Sequence, residues 1–147
     1  PEVVAVQADG SNNLVANLKR ESFVAGRSKT IADSISVDVP RNFYMARKYL
    51  NAYNGKGITV SDHDILDAMA VLARNTGLFA EPASAAAFAG LVKYKNESDI
   101  APGSVNMVLL TGSGLKDTEA VRPVLSHIRP IEPDPEALIK YLEHDPV

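Results

Sequence analysis

The chain contains 147 residues, of which 46% are hydrophobic and 22% charged, a composition that is typical of a globular domain and excludes a disordered or fibrous protein. The net charge of −3 supplies no positive field for a phosphate backbone, so nucleic acid is not an expected partner. The sequence holds no cysteine, which excludes disulfide bonds, thiolate metal sites and a cysteine nucleophile.

The hydropathy of the sequence and its first residues indicate where in the cell we expect the protein and whether we expect a longer chain. No apolar run approaches the roughly 20 residues that a membrane-spanning helix needs, and no signal peptide precedes the first element. We therefore expect a cytoplasmic protein that does not contact a membrane. The chain starts at Pro1, without an initiating methionine, and enters a strand-like run at once, so we expect a piece of a longer protein.

The first part of the chain predicts a buried strand and a short helix. The strand is Val3 to Ala8, an apolar run that ends in the turn residues Asp9 to Asn13. The helix is Leu14 to Phe23, which has apolar residues at helical spacing. Thr30 to Val37 fits a helix or a strand equally well from its pattern alone.

Two helices and a strand are predicted next. Asn42 to Tyr53 places apolar residues on one helical face, and Ile58 to Val60 is a brief β-branched strand. Ser61 is a natural N-cap for the second helix, which should end at Asn75 to Gly77.

A helix rich in small side chains follows over Glu81 to Val92. Pro82 suits its first turn, and Glu81 lies at its positive end, where a carboxylate is stable whether or not it takes part in chemistry. Side chains this small let a helix press closely on a sheet or a ligand. Ser84, within it, is interpreted as a core residue.

The most informative stretch is Val105 to Asp117, which reads VNMVLLTGSGLKD. Five of its first six residues are apolar, which predicts a strand buried on both faces in a parallel sheet covered by helices. Thr111, Gly112 and Ser113 come directly past the carboxyl end of that strand, where open α/β sheets bind their ligands. We therefore expect a ligand site there. Lys116, close by, is interpreted as a solvated lysine.

The last part of the chain predicts little regular structure. Glu119 to Ser126 should form a helix that Pro123 shortens, and Arg129 to Pro135 holds three prolines in seven residues, which is typical of an extended connector. Glu136 to Glu143 predicts a small helix. The scattered histidines and the acidic residues near position 64 lack metal-ligand spacing, so no metal site is predicted.

Three motifs carry a resemblance to a known family. They are SKTIADSISVDVPRN at residues 28–42, FAEPASAAAFAGL at residues 79–91 and LLTGSGLKD at residues 109–117. In this order they resemble the C-terminal part of threonine synthases, which are pyridoxal-phosphate enzymes of fold type II in the tryptophan synthase β-like superfamily. The resemblance implies an α/β fold with an open, largely parallel sheet and helices on both faces. It also implies that residues 1–128 belong to the large cofactor-binding domain and that residues 129–147 form a proline-rich connector with a short C-terminal helix.

The resemblance also implies roles at the expected site. Thr111 would bind the pyridine nitrogen of pyridoxal 5'-phosphate, Gly112 and Ser113 would lie beside the ring, and Glu81 would lie near its edge. From the pattern alone, Thr111 could instead cap the following loop. No catalytic residue is assigned within the chain. The lysine that holds the cofactor as an imine, and the glycine-rich phosphate loop, are expected outside it, since none of its lysines stands in a Ser-Phe-Lys-Asp type motif.

The implied reaction is that of a lyase of threonine biosynthesis, which converts O-phosphohomoserine and water to threonine and phosphate. Alone, the chain should be inactive. Alternatives are another fold type II enzyme, namely a threonine or serine dehydratase or a cysteate synthase, and a non-catalytic module that keeps this fold. The expected partners are the missing N-terminal half of the enzyme, a small amino-acid substrate and a second copy of the chain in a homodimer.

Overall fold

A computed structural model of the protein describes residues 2–97, 100–122 and 130–144. Within these ranges the strands are β1 (Val4–Ala8) and β2 (Lys56–Val60), and the α-helices are α1 (Phe43–Ala52), α2 (Asp62–Thr76), α3 (Pro82–Glu97) and α4 (Pro135–His144). Short 3-10 turns occupy Asp9–Ser11, Val15–Asn17, Asp33–Ile35 and Gly114–Lys116. None of the helices in the described ranges combines the length and the hydropathy that crossing a bilayer requires.

Strands β1 and β2 pair in parallel, in a register that runs from Val4 opposite Lys56 to Ala8 opposite Val60. Helix α3 packs against one face of this pair. It can do so closely because Gly90 has no side chain: a Cβ atom there would lie 2.3 Å from a methyl carbon of Val6. The close approach explains why this helix carries such small residues.

The 3-10 turn Val15–Asn17 covers the opposite face of the strand pair. The side-chain oxygen of Gln7 in β1 accepts hydrogen bonds from the backbone N–H groups of Leu14 and Val15, at 2.9 and 3.0 Å. The α/β class with a parallel sheet is thus confirmed, and in the described part the sheet has two strands. The second face bears a 3-10 turn where an α-helix was predicted.

The hydrophobic core lies between the strand pair, α2 and α3. Its buried members include Ala8, Val60, Ile65, Ala68, Met69, Leu72, Ala85, Ala86 and Ala89. Helix α2 is fixed by its ends, because the hydroxyl of Ser61 accepts a hydrogen bond from the Asp64 amide at 3.1 Å and the Asp64 carboxylate accepts one from the Ser61 amide at 2.9 Å. Gly77, in the left-handed conformation at φ +73°, closes the helix. The predicted cap and end of this helix are confirmed.

One prediction in the first forty residues is wrong. The helix over Leu14 to Phe23 is reduced to the turn Val15–Asn17, because the side chain of Asn17 binds the backbone of Val24 through both its oxygen and its nitrogen, at 2.8 and 3.0 Å. These bonds divert the chain from a helical path. Thr30 to Val37, for which the pattern left a helix and a strand open, contains one short helical element, the 3-10 turn Asp33–Ile35.

The prediction that Val105 to Leu110 is a strand buried on both faces is also wrong for this chain. The segment pairs with neither β1 nor β2. Val105 is 95% exposed and Met107 83% exposed. An apolar strand is buried only when neighbouring strands pair with its edges and other elements cover its faces, and the described residues supply neither.

The other predicted elements are present, with ends shifted by a few residues. Helices α1, α3 and α4 and strand β2 correspond to the predictions over Asn42 to Tyr53, Glu81 to Val92, Glu136 to Glu143 and Ile58 to Val60. Strand β1 is half-buried and only Ala8 in it is fully buried. Residues 123–129 lie outside the described ranges. They include Pro123, half of the predicted helix over Glu119 to Ser126 and the division predicted between residues 128 and 129.

Candidate functional site

The three sequence motifs meet around one cavity of about 410 Å³. The turn Asp33–Ile35 contributes Asp33 and Ser34, the start of α3 contributes Glu81, Pro82 and Ala83, and the turn Gly114–Lys116 and the residue after it contribute Lys116 and Asp117. This volume falls within the range of roughly 300–1,000 Å³ that is usual for small-molecule sites. We refer to this concavity as the motif cavity.

The first motif is held in place by polar side chains from elsewhere in the chain. The hydroxyl of Ser11, which is 1% exposed, donates a hydrogen bond to the carbonyl of Ile35 and accepts one from the amide of Val37, both at 3.1 Å. Asp62, at the start of α2, binds the Thr30 hydroxyl and, at 3.2 Å, the Ile31 amide. These contacts on both sides of Asp33–Ile35 fix that turn at the edge of the motif cavity.

The third motif is joined to the second through the backbone. The amide of Gly114 donates to the carbonyl of Phe79 at 2.8 Å, and the amide of Glu81 donates to the carbonyl of Gly112 at 3.1 Å. Ala80 and Ser113 form an isolated antiparallel bridge between them. The predicted ligand-binding turn and the residue after it are therefore hydrogen-bonded to the residues directly before α3.

Gly112 contacts the side chain of Ser84, in α3, and that of Glu81, the residue before α3. Its amide donates a hydrogen bond at 3.1 Å to the hydroxyl of Ser84, a residue that is 1% exposed. A Cβ atom at Gly112 would lie 2.1 Å from Oε1 of Glu81, a distance at which the carboxylate would have to move. Only glycine therefore allows the loop and Glu81 to approach each other in this way.

Glu81 is the buried charge of the motif cavity. It is 7% exposed and lies at the N-terminal end of α3, where the helix dipole favours a carboxylate. The ammonium group of Lys116 lies 3.8 Å from Oε2 of Glu81. Lys116 is exposed, as the sequence predicted, but it also carries the positive charge nearest to this carboxylate among the ion pairs of the described residues.

The four residues predicted to contact the cofactor are brought together, but they do not all line the motif cavity. Glu81 forms part of its wall, and Gly112 is half-buried against Glu81. Thr111 and Ser113 are exposed on either side of Gly112. These four residues thus form one contiguous group, of which Glu81 is the member that lines the motif cavity.

The hydroxyl groups of Ser113 and Thr111 differ in their surroundings. The Ser113 hydroxyl caps the turn Gly114–Lys116 by accepting a hydrogen bond from the Leu115 amide at 3.3 Å. The Thr111 hydroxyl has no hydrogen-bond partner among the described residues. The loop cap that Thr111 could have supplied is therefore made by Ser113, which leaves the Thr111 hydroxyl available to a ligand.

Sequence reasoning did not assign Asp33, Asp117 and the second role of Ser84. Asp33 and Asp117 lie within the first and third motifs, so the motifs could have identified them as site residues. The spacing of apolar residues could not. Ser84 is a core residue, as predicted, and it is also the acceptor for Gly112. Across the described ranges, no group of three or more histidine, cysteine or acidic residues is placed to hold a metal ion.

Comparison with known proteins places this site in context. Residues 1–112 match the family described as "Pyridoxal-phosphate dependent enzyme". The chain is 32% identical over 142 residues to threonine synthase from Mycobacterium tuberculosis, an alignment that covers 97% of this chain and 38% of the relative. It is 33% identical over 144 residues to threonine synthase from Halalkalibacterium halodurans, covering 98% and 39% of the two chains. The chain thus spans well under half the length of these curated relatives.

Solved structures share the fold. The crystal structure of threonine synthase from Escherichia coli is similar with a TM-score of 0.67 at 17% identity, over 97% of this chain and 37% of that one. A fungal L-serine ammonia-lyase from Rhizomucor miehei is similar with a TM-score of 0.68 at 22% identity, over 83% and 40% of the two chains. At these identities the similarity is one of fold, and the predicted fold class agrees with it.

Proposed function

The chain belongs to the pyridoxal-phosphate dependent enzyme family, and from this premise we propose that it forms the C-terminal part of a threonine synthase-like enzyme of fold type II. The reaction proposed is the conversion of O-phosphohomoserine and water to threonine and phosphate. The observation that carries the proposal is the meeting of the three motifs around the motif cavity. The curated relatives described above, which are named threonine synthase, support the choice of reaction.

The residues at the motif cavity fit a small, flat and polar cofactor. The cavity volume of about 410 Å³ is sufficient for a small ligand. Thr111 directly precedes Gly112, which contacts Glu81 in the cavity wall, and its hydroxyl is bound by no described residue. When bound, pyridoxal phosphate supplies a ring that withdraws electrons from the substrate carbon. We place the ring beside Gly112 and Ser113, with its nitrogen at Thr111 and its edge toward Glu81.

The role proposed for Thr111 follows from the chemistry of its side chain. A hydroxyl group can donate a hydrogen bond to a ring nitrogen without carrying a charge. A carboxylate at this position would instead favour a proton on the nitrogen and would make the ring more strongly electron-withdrawing. With the Thr111 hydroxyl as its partner, the cofactor ring would therefore withdraw electrons from the substrate only moderately.

The neighbouring residues would hold this hydroxyl in position. The hydrogen bond from the Gly112 amide to Ser84 fixes the peptide that follows Thr111. The Glu81 carboxylate, at 3.8 Å from the Lys116 ammonium group, keeps a negative charge at the cavity wall without leaving it uncompensated. None of these residues is proposed to transfer a proton to the substrate.

The remaining parts of the active site would come from elsewhere in the enzyme. We place the lysine that anchors the cofactor, the glycine-rich loop that binds its phosphate and the grips for the substrate phosphate in the part of the relatives that this chain does not cover. The coverage of 38 to 39% of those relatives supports this division. We assign residues 1–128 to the large cofactor-binding domain and residues 129–147 to a connector and C-terminal helix. A homodimer and a cytoplasmic location remain predictions.

The reaction can be tested with the full-length enzyme that carries this chain. Incubation with O-phosphohomoserine should release threonine and inorganic phosphate in equal amounts, and the chain by itself should release neither. Incubation with serine or threonine separates the rivals, because a dehydratase would release ammonia and a 2-oxo acid. Release of ammonia without release of phosphate would contradict the threonine synthase assignment. A full-length protein that turns over none of these substrates would favour a cysteate synthase or a non-catalytic module, and only the cysteate synthase would form a sulfonate when sulfite is supplied.

A further inference from the structure

A second concavity, of about 470 Å³, lies between α1 and the chain that follows the turn Val15–Asn17. Its lining consists of Leu18 to Glu21 on one side and Arg47 and Asn51 of α1 on the other. It has no lining residue in common with the motif cavity, and its volume also falls within the range that is usual for small-molecule sites. We refer to it as the basic concavity.

The basic concavity carries an excess of positive charge. Lys19, Arg20 and Arg47 contribute three cationic groups and Glu21 contributes one carboxylate, which leaves two positive charges in a chain whose net charge is −3. None of the three cations forms an ion pair with any residue that the structure describes. Unpaired charge of one sign around a concavity attracts a ligand of the opposite sign.

The guanidinium group of Arg47 is held in place before any ligand binds. Its central carbon lies 5.1 Å from the ring centroid of Phe43 and 5.5 Å from that of Tyr44, within the range of cation–π attraction. Phe43 is only 2% exposed, so its ring is a fixed support. A terminal nitrogen of Arg47 also donates a hydrogen bond to the backbone carbonyl of Arg20, at 2.8 Å. The other N–H groups of Arg47 have no acceptor among the described residues.

The second arginine is oriented in a similar way. Nε of Arg20 donates a hydrogen bond to the backbone carbonyl of Ala16, at 3.2 Å, which leaves the terminal nitrogens of Arg20 without an acceptor in the described part of the chain. Two guanidinium groups with free, planar N–H donors are thus brought together, since the carbonyl of Arg20 also accepts the bond from Arg47. This is the donor arrangement that binds pairs of phosphate oxygens.

From this geometry we propose that the basic concavity is a second ligand site, which binds the phosphate group of a small anion. Arg20 and Arg47 would each bind phosphate oxygens, and Lys19 would add a third positive charge. The half-buried Leu18 and the Asn51 amide would contact the organic part of the ligand. The proposal does not depend on the reaction assigned to the motif cavity.

Chemical modification of arginines in the full-length enzyme tests this inference. Phenylglyoxal reacts with accessible guanidinium groups, and mass spectrometry of peptides measures the rate at each arginine. Inorganic phosphate at ten times its dissociation constant should slow modification of Arg20 and Arg47 about tenfold. Arg74, exposed on the last turn of α2, is the internal control and should react at an unchanged rate.

Three outcomes of this experiment would overturn the proposal. The first is modification of Arg20 and Arg47 at the same rate with and without phosphate. The second is equal protection by potassium chloride at matched ionic strength, which would reduce the effect to screening. The third is protection by succinate that equals that by phosphate, because the site would then select dianions in general.

Matched variants show whether the cations act together. Arg47→Gln should raise the phosphate concentration that half-protects Arg20 by about tenfold or more, because a hydrogen bond to a charged group is lost. Lys19→Gln removes an exposed charge that has no partner in the described structure, and should raise it about two- to fivefold. Arg74→Gln should not change it. If neither Arg47→Gln nor Lys19→Gln weakens protection of Arg20, the assignment is wrong. Since no reaction is measured, protection in an enzyme that fails to form threonine would refute only the proposed function.

Discussion

The backbone amide of Gly112 donates a hydrogen bond to the buried hydroxyl of Ser84, 28 residues earlier in the chain, at 3.1 Å. Through this bond the third motif of the sequence is attached to the helix of the second. Because Thr111 directly precedes Gly112, the bond also limits where the Thr111 hydroxyl can lie.

Removal of the Ser84 hydroxyl should destabilise the loop at Gly112, which contacts Glu81 in the wall of the motif cavity. Ser84→Ala leaves the half-buried Gly112 amide without its acceptor, which we expect to lower the free energy of unfolding by about 1–3 kcal/mol. Denaturant unfolding of the chain measures this loss. Ser104→Ala is the control, because the Ser104 hydroxyl is exposed and bonds only within its own turn, to the carbonyl of Ala101. If Ser84→Ala lowers the free energy of unfolding no more than Ser104→Ala does, the hydrogen bond to Gly112 does not contribute to stability.

A side chain at position 112 should displace Glu81. In Gly112→Ala the new methyl group would lie 2.1 Å from Oε1 of Glu81, and we expect a destabilisation of about 1–3 kcal/mol. Glu81→Ala removes the atoms that clash. In the double variant the alanine at 112 should therefore cost less than it does alone, and a double-mutant cycle of unfolding free energies measures the difference. Additive costs would contradict the close contact.

A polar triad at the surface joins Glu2, two residues before β1, to Lys56 in β2 and Tyr94 in α3, and it makes stability depend on pH. The Tyr94 hydroxyl donates to the Glu2 carboxylate at 2.6 Å, and the Lys56 ammonium group donates to Tyr94 at 2.5 Å and lies 3.1 Å from Glu2. The hydrogen bond from Tyr94 and then that from Lys56 lower the pKa of Glu2 below its ordinary 4.5. The bonds to Tyr94 and Glu2 raise the pKa of Lys56 above its ordinary 10.5.

The sign of each pKa shift gives the direction of the pH dependence. The contribution of Glu2 is present above its unfolded pKa and is lost as the pH falls through its lowered folded pKa. That of Lys56 is present below its unfolded pKa and is lost as the pH rises through its raised folded pKa. The melting temperature of Tyr94→Phe should therefore fall furthest below that of the unchanged chain between these limits, and the gap should narrow in acid and in strong base. Tyr53→Phe, which changes an exposed tyrosine directly after α1, should show no such profile. A constant gap across all pH values would contradict the triad.

Local signals in the sequence were sufficient where the structure is determined locally. Ser61 and Gly77 predicted both ends of α2, because a cap and a left-handed glycine need only their neighbours. The helix expected over Leu14 to Phe23 failed because the Asn17 side chain bonds to Val24, seven residues later in the chain. The spacing of apolar residues in that segment gives no indication of this bond.

Only the part of the candidate site that local sequence determines was predicted. The composition of the stretch after Leu110 pointed to a ligand, and the motifs pointed to Glu81, but their meeting around one cavity with Asp33 and Asp117 depends on tertiary contacts. The strand predicted over Val105 to Leu110 has the right composition for burial and lacks neighbours in the described chain.

The absorption spectrum of pyridoxal phosphate bound to the full-length enzyme tests the central proposal, that the Thr111 hydroxyl binds the ring nitrogen. Thr111→Val removes the hydroxyl while keeping the shape of the side chain, and should shift or weaken the absorption band of the bound cofactor and slow turnover. Thr111→Ser should preserve both, as should Thr118→Val, which removes an exposed hydroxyl seven residues further on. A Thr111→Val enzyme with the spectrum and turnover of the unchanged protein would contradict the assignment.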